Sequence, residues 1–130
     1  MACLETTFLV DLLRGKLEVK SLKDELDRTE SELFVAAPSV MELWSGALLS
    51  NQPLKEKEKI SELIESLVLL PLDAASAKEA GEIEAELLGK GLPVQTEDVM
   101  IAAISRVNCK KLVTRDQHFA RIPGLRVLKY

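Results

Sequence analysis

The residues of this sequence that can do chemistry are few in kind. His118 is the only histidine, and Cys3 and Cys109 are the only cysteines. A histidine-rich metal site is thereby excluded, and a Ser–His–Asp triad is strongly disfavoured. Neither G-x-x-x-x-G-K-S/T nor G-x-G-x-x-G occurs, so the two common glycine-rich phosphate cradles are missing. Carboxylates remain, 21 of them, and with so many only position singles any out. Glu5 closes a short apolar start, and Asp116 follows the strand-like run Lys111–Arg115. Glu42 and Asp98 lie in the first turns of helical stretches. Carboxylates brought close together repel, so one takes up a proton or a hard divalent cation relieves the repulsion. Each acid also has a local role open to it. Ser39 and Glu42 spell an S-x-x-E capping box. Asp98 and Glu97 suit the positive end of a helix dipole. Asp116 can cap the turn Gln117–Arg121, and Glu5 can be an exposed strand end. His118 reads as a surface residue of that last turn.

Short apolar runs alternating with amphipathic ones must position these acids. Ala2–Glu5 reads as a first strand, followed by Phe8, Leu9, Leu12 and Leu13 at helical spacing up to Gly15. A charged helix is expected over Val19–Arg28, and a strand over Leu33–Ala37, ended by Pro38. Val40, Leu43, Trp44, Ala47 and Leu48 trace one helical stripe, and Pro53 opens another helix carrying Ile60, Leu63, Ile64 and Leu67. Val68–Leu70 reads as a strand, Asp73 as the cap of a helix to about Gly89, and Val99–Ile104 as a buried helix. Lys111–Arg115, a short turn over Asp116–Ile122 and a last strand over Leu125–Lys129 complete the chain. This alternation predicts one α/β domain over residues 1–130 with a mostly parallel sheet. In such sheets ligands bind outside the carboxyl ends of the strands, and all four acids are expected at that edge.

Composition bounds the partners. A length of 130 residues with 47% hydrophobic positions buries a core without disulfide or metal staples. No apolar run reaches the roughly 20 residues of a membrane helix. The start MACLETTFLVDLL lacks the basic opening and cleavage site of a secretory signal. Two buried, reduced thiols in a cytoplasmic protein are the expectation for Cys3 and Cys109. The net charge of −4 conceals an asymmetry. Residues 106–130 carry Arg106, Lys110, Lys111, Arg115, Arg121, Arg126 and Lys129 against Asp116 alone. A basic segment around one of the singled-out acids hints at a polyanionic partner.

Four strings carry a resemblance: L-E-T-T-F-L-V-D-L-L, S-V-M-E-L-W-S-G, E-D-V-M-I-A-A-I-S and L-V-T-R-D-Q-H-F-A-R-I-P-G-L. In this order and spacing the chain resembles the PIN-domain ribonucleases from residue 2 to about 128, most strongly the VapC-type toxins of prokaryotic toxin–antitoxin pairs. The last two strings are the most specific. The resemblance implies a three-layer αβα fold around a mostly parallel sheet of four to five strands. It implies a metal-dependent endoribonuclease whose acidic quartet falls on Glu5, Glu42, Asp98 and Asp116, with Thr7 and Thr114 as supporting hydroxyls. It also implies an RNA substrate, a small VapB-like antitoxin as partner and a homodimer. One position departs from the family pattern: the family has Asp where this chain has Glu5.

Mg²⁺ or Mn²⁺ suits such a site, since hard cations prefer carboxylate oxygen and keep several waters. Asp98 and Asp116 are then expected as metal ligands, and Glu42 as ligand or water-orienter. Lys111, Arg115 and Arg121, close to Asp116 in sequence, are the candidates for gripping neighbouring phosphates. Glu5 adds a methylene where such sites tolerate about 0.5 Å of misplacement, so activity is expected to be attenuated unless the strand start compensates. Two rival readings remain open. One is a PIN-like module that binds an antitoxin or RNA without cutting. The other is a phosphoacceptor domain of doubly wound fold, for which the adjacent acid pair after the first strand and the partner lysine are missing.

Overall fold

A computed structural model of the chain describes residues 1–108 and 110–130. The expectation for Cys109 lies outside these residues. In chain order the elements are β1 (Ala2–Leu4), α1 (Thr6–Leu13), α2 (Leu17–Thr29), β2 (Leu33–Ala36), α3 (Ala37–Leu48) and α4 (Pro53–Glu65). They continue with β3 (Val68–Leu70), α5 (Ala74–Gly89), α6 (Thr96–Val107), β4 (Lys111–Thr114), a 3₁₀ turn (Gln117–Arg121) and β5 (Val127–Lys129). The five strands form one sheet in the order β3-β2-β1-β4-β5, and every pairing is parallel.

The alternation of side chains along the strands divides the interior in two. Ala2, Leu4, Leu33, Val35 and Val113 point to a core shared with Phe8 and Leu9 of α1, Val19 and Leu26 of α2, Leu43 of α3 and Ile60 of α4. Cys3, Phe34, Ala36 and Leu112 point the other way, toward Ile83 and Leu87 of α5 and the apolar run Ile101–Ile104 of α6. The result is the three-layer αβα arrangement, helices α1–α4 on one face and α5–α6 on the other. Among the described residues, no helix is long and apolar enough to cross a membrane.

Several expected boundaries move by a residue or two. Pro38 does not end the second strand; α3 starts at Ala37 and holds Pro38 in its first turn, where a missing N–H costs nothing because no intrahelical acceptor exists there. Glu42 therefore lies in the second turn of α3, not the first. Ser39 sits inside the helix and caps nothing, so the capping-box reading of Ser39 and Glu42 does not hold. Asp73 does cap α5, accepting the Ser76 N–H at 2.9 Å. Cys3 is fully buried, and burial, opposed by Ser105 beside it, pushes its thiol up to about 11, which leaves it chemically inert near neutral pH.

Candidate active site

Sheet order sets where the acids meet. From β1 the chain runs to β2 and β3 on one side and then returns to place β4 on the other. The carboxyl ends of β1 and β4 are thus the point where strand order reverses, the usual ligand crevice of an open parallel sheet. Glu5 follows β1 directly and Asp116 follows β4 by one residue. Helices α3 and α6 begin on the same edge and bring Glu42 and Asp98 to it.

Glu5 is an anchored residue, 2% exposed. Its N–H donates to Val113 O at 3.1 Å, extending the β1–β4 ladder, and its carbonyl accepts the Leu9 N–H that starts α1. On the carboxylate, Oε1 accepts from Thr7 Oγ1 at 2.6 Å and from Thr114 Oγ1 at 2.5 Å. The Thr114 hydroxyl in turn accepts the Asp116 N–H at 3.0 Å. One threonine thereby couples the acid after β1 to the acid after β4. The Glu5 carboxylate is thus held by two hydroxyls, and its backbone by the β1–β4 ladder and the start of α1.

The acids feel one another. Burial, then the charges of Asp116, Glu5 and Glu42, push Asp98 up to about 6, with His118 opposing. Burial also raises Glu42 above the usual carboxylate range; the Thr6 hydroxyl at 3.0 Å opposes this, while Glu5 and Glu97 reinforce it. Such mutual destabilisation is what a bound cation relieves. The donor set, all carboxylate oxygen and strongly negative, fits a hard divalent ion in chemistry. Among the described residues, no three acidic, histidine or cysteine side chains stand close enough to share a metal ion. The acids are turned to local donors: Glu5 to the threonines, and Asp116 Oδ1 to the N–H and Nδ1 of His118 at 2.9 and 2.8 Å. A common ion among these acids would need their side chains to rotate away from those donors.

Three cavities border the cluster. One of about 450 Å³ is lined by Thr7, Arg115, Asp116, Gln117, His118 and Arg121. A second, of about 220 Å³, lies between Gln95, Asp98, Asp116 and His118. A groove of about 480 Å³ between α1, α3 and α4 has Glu42 on its wall, with Arg14 and Lys59 across from it. Arg115 and Arg121 thus flank Asp116. Lys111 does not: it begins β4 at the opposite, amino edge of the sheet and pairs with Glu30 at 2.8 Å. Proximity in sequence misleads there, because a strand of four residues carries its two ends about 10 Å apart.

The fold also brings to this edge Thr6, Asp11 and Tyr130, which no motif marks, together with Glu97, expected at a helix dipole, and His118, expected at the surface. Thr6 touches both Ser39 Oγ and Glu42 Oε1, and Glu97 adds its charge to Glu42. His118 bonds Asp116 although its side chain is 58% exposed. Asp11, 1% exposed in the middle of the apolar run F-L-V-D-L-L, accepts from Arg115 Nε at 2.8 Å, and Tyr130 donates its hydroxyl to it at 2.9 Å. An acid inside an apolar helix face is a sequence-visible sign of a buried partner. The tyrosine carried no such sign.

A crevice of acids thus stands at the switch point of a parallel sheet, and the family to which the chain belongs is plain from its relatives. The profile of the PIN domain matches residues 2–125, and the chain belongs to the PIN-domain family, in its VapC branch. It is 30% identical over 124 residues to the tRNA(fMet)-specific endonuclease VapC of Shigella flexneri, covering 95% of this chain and 92% of that protein. Against Ribonuclease VapC2 of Haemophilus influenzae it is 27% identical over 125 residues, again 95% of this chain and 92% of the relative. Among solved structures, the DNA-bound VapBC of Salmonella typhimurium superposes with a TM-score of 0.91 at 29% identity, covering 98% of this chain and 96% of that one. VapBC2 of Rickettsia felis, bound to a promoter DNA fragment, shares the fold with a TM-score of 0.92 at 22% identity, covering 99% and 98%.

Proposed function

We propose that this protein is a VapC-like toxin, an endoribonuclease that hydrolyses RNA phosphodiester bonds with the help of a divalent cation, Mg²⁺ or Mn²⁺. The observation that carries the reading is that Glu5 and Asp116 follow adjacent parallel strands and are joined through Thr114, at the edge where the helices carrying Glu42 and Asp98 begin. Asp98 and Asp116 hold the cation, with Glu5 and Glu42 completing the oxygen set or orienting water. When bound, the ion supplies Lewis-acid polarisation of the scissile phosphate and lowers the pKa of water. The chain's residues do the rest. Thr7 and Thr114 fix the Glu5 carboxylate, and Thr6 orients Glu42. Arg121, with the outer face of Arg115, grips phosphates next to the scissile one from the cavity around Asp116.

The substrate class follows from the relatives named as tRNA(fMet)-specific endonucleases, which make tRNA the first RNA to test. A small VapB-like antitoxin is the partner, as in the VapBC complexes that share the fold. Pairing of two copies and a cytoplasmic location belong to the same proposal. The largely exposed Leu48, Leu49 and Leu54 around the α3–α4 connection offer apolar surface for one of these contacts. The test is incubation of the protein with tRNA and Mg²⁺ or Mn²⁺, beside Asp98→Asn and an EDTA control. Cleavage by the natural chain alone supports the reading; cleavage that persists in Asp98→Asn or in EDTA overturns it.

A further inference from the structure

Outside the acid quartet, Asp11 is a heavily bonded charge. Its carboxylate is buried in α1 yet takes donors from three separate places. Lys16 Nζ, from the connection to α2, lies 3.0 Å from Oδ1. Arg115, from the loop after β4, presents Nε to Oδ2 at 2.8 Å and a terminal nitrogen to Oδ1 at 3.5 Å. Tyr130, following β5, donates its hydroxyl to Oδ2 at 2.9 Å. Burial alone would push Asp11 up, but the bonds from Arg115, Lys16 and Tyr130 outweigh it and hold the carboxyl at about 2.

Two of those donors are joined to the acid site. Arg115 stands between Thr114, which bonds Glu5, and Asp116 itself. Tyr130 touches α1 at Phe8, the residue after Thr7, whose hydroxyl bonds Glu5. The tyrosine ring packs edge-on against Phe8 in α1, centroids 5.2 Å apart at 87°. The hub stabilises the carboxylate form of Asp11, although the Lys16 and Arg115 side chains stay about half exposed. What it does uniquely is specify where its partners sit relative to one another.

We propose that Asp11 and Tyr130 are positioning residues: they lock the Asp116 loop and the Glu5–Thr7 turn at a set separation, so that the two acids can share one cation. The proposal rests on the nuclease reading above. Tyr130→Phe is the informative variant, because it keeps the ring on Phe8 and removes only the hydroxyl. Three readouts separate positioning from plain structure. Titration with Mn²⁺ is expected to show affinity weakened about tenfold, the low end for loss of an outer partner of a ligand. Cleavage of tRNA is expected to lose kcat by a similar factor with KM unchanged. Amide NMR signals of Thr7, Thr114 and Asp116 are expected to shift in the metal-free protein at a temperature where circular dichroism shows the variant folded.

Unchanged Mn²⁺ affinity and unshifted amides in Tyr130→Phe overturn the proposal, whatever the cleavage assay gives. If the natural chain does not cleave RNA but the amides shift and Mn²⁺ affinity falls, the nuclease reading fails and the positioning role stands. Asp11→Asn supplies the second arm, expected to weaken Mn²⁺ binding at least as much as Tyr130→Phe at a temperature where circular dichroism shows it folded. A folded Asp11→Asn with natural affinity overturns the proposal.

Discussion

Replacing Asp98 with asparagine should stabilise the metal-free protein near neutral pH while removing its function. The carboxyl of Asp98 rises from the ordinary 3.8 to about 6, through burial and then the charges of Asp116, Glu5 and Glu42. Between those two values the folded protein still holds the proton while the unfolded chain has lost it. Stability therefore falls as pH rises through that window, and the penalty is complete above pH 6. At about 1.36 kcal/mol per unit the bound is about 3 kcal/mol, and solvent screening of a half-buried group brings it to about 1–3 kcal/mol. Glu42, raised largely by burial, adds in the same direction. The depressed carboxyls of Asp11, Glu30 and Asp73 act oppositely: their stabilisation is complete above about pH 4.5 and is lost only on further acidification. Asparagine cannot ionise, so in EDTA at pH 7.5 the variant should melt about 3–10 °C above the natural chain, the gap narrowing toward pH 5. Added Mn²⁺ should raise the melting temperature of the natural chain and leave the variant where it was. Differential scanning calorimetry at three pH values reads all of this. A variant no more stable than the natural chain at pH 7.5, or a natural chain whose stability does not decline from pH 5 to 7.5, refutes the reasoning.

Three further outcomes follow from the same geometry. Glu5→Asp retracts the carboxylate by about 1.5 Å from Thr7 and Thr114, so RNA cleavage should fall or stay level; a gain in cleavage would show that the natural glutamate silences the site. Thr114→Val leaves both Glu5 Oε1 and the Asp116 N–H short of a partner, which should cost about 1–3 kcal/mol in urea unfolding; an unchanged midpoint contradicts the relay between the two acids. Arg121→Ala should weaken RNA binding and lower the slope of log K against log salt by about one, whereas Lys111→Ala, which sits on the far edge with Glu30, should leave that slope alone.

Much of the fold was legible because it rests on local patterns. The short apolar runs around L-F-V-A and K-L-V-T and the helical stripe from Val40 to Leu48 are decided by which side chains must leave water, and those elements stand within a residue or two of where the pattern puts them. The carboxyl-edge location of the acids follows from topology, so it too was readable. Boundaries were less so: Pro38 reads equally well as the end of a strand or the first turn of a helix, and only packing chooses. The polar scaffold around the acids was the least visible. Thr6 on Glu42 and Tyr130 on Asp11 join residues 36 and 119 positions apart, beyond any spacing rule, whereas Thr7 and Thr114, expected as supporting hydroxyls through the family resemblance alone, do bond Glu5. Lys111 shows the converse error, a residue near Asp116 in sequence that the strand carries to the other edge.

The most direct test of the account is a crystal of the protein soaked in Mn²⁺ and measured at a wavelength where manganese scatters anomalously. The account predicts an anomalous peak among Glu5, Glu42, Asp98 and Asp116, with carboxylate oxygens of Asp98 and Asp116 at about 2.0–2.3 Å from it. A well-ordered site with no peak there, or a peak only elsewhere on the surface, contradicts it.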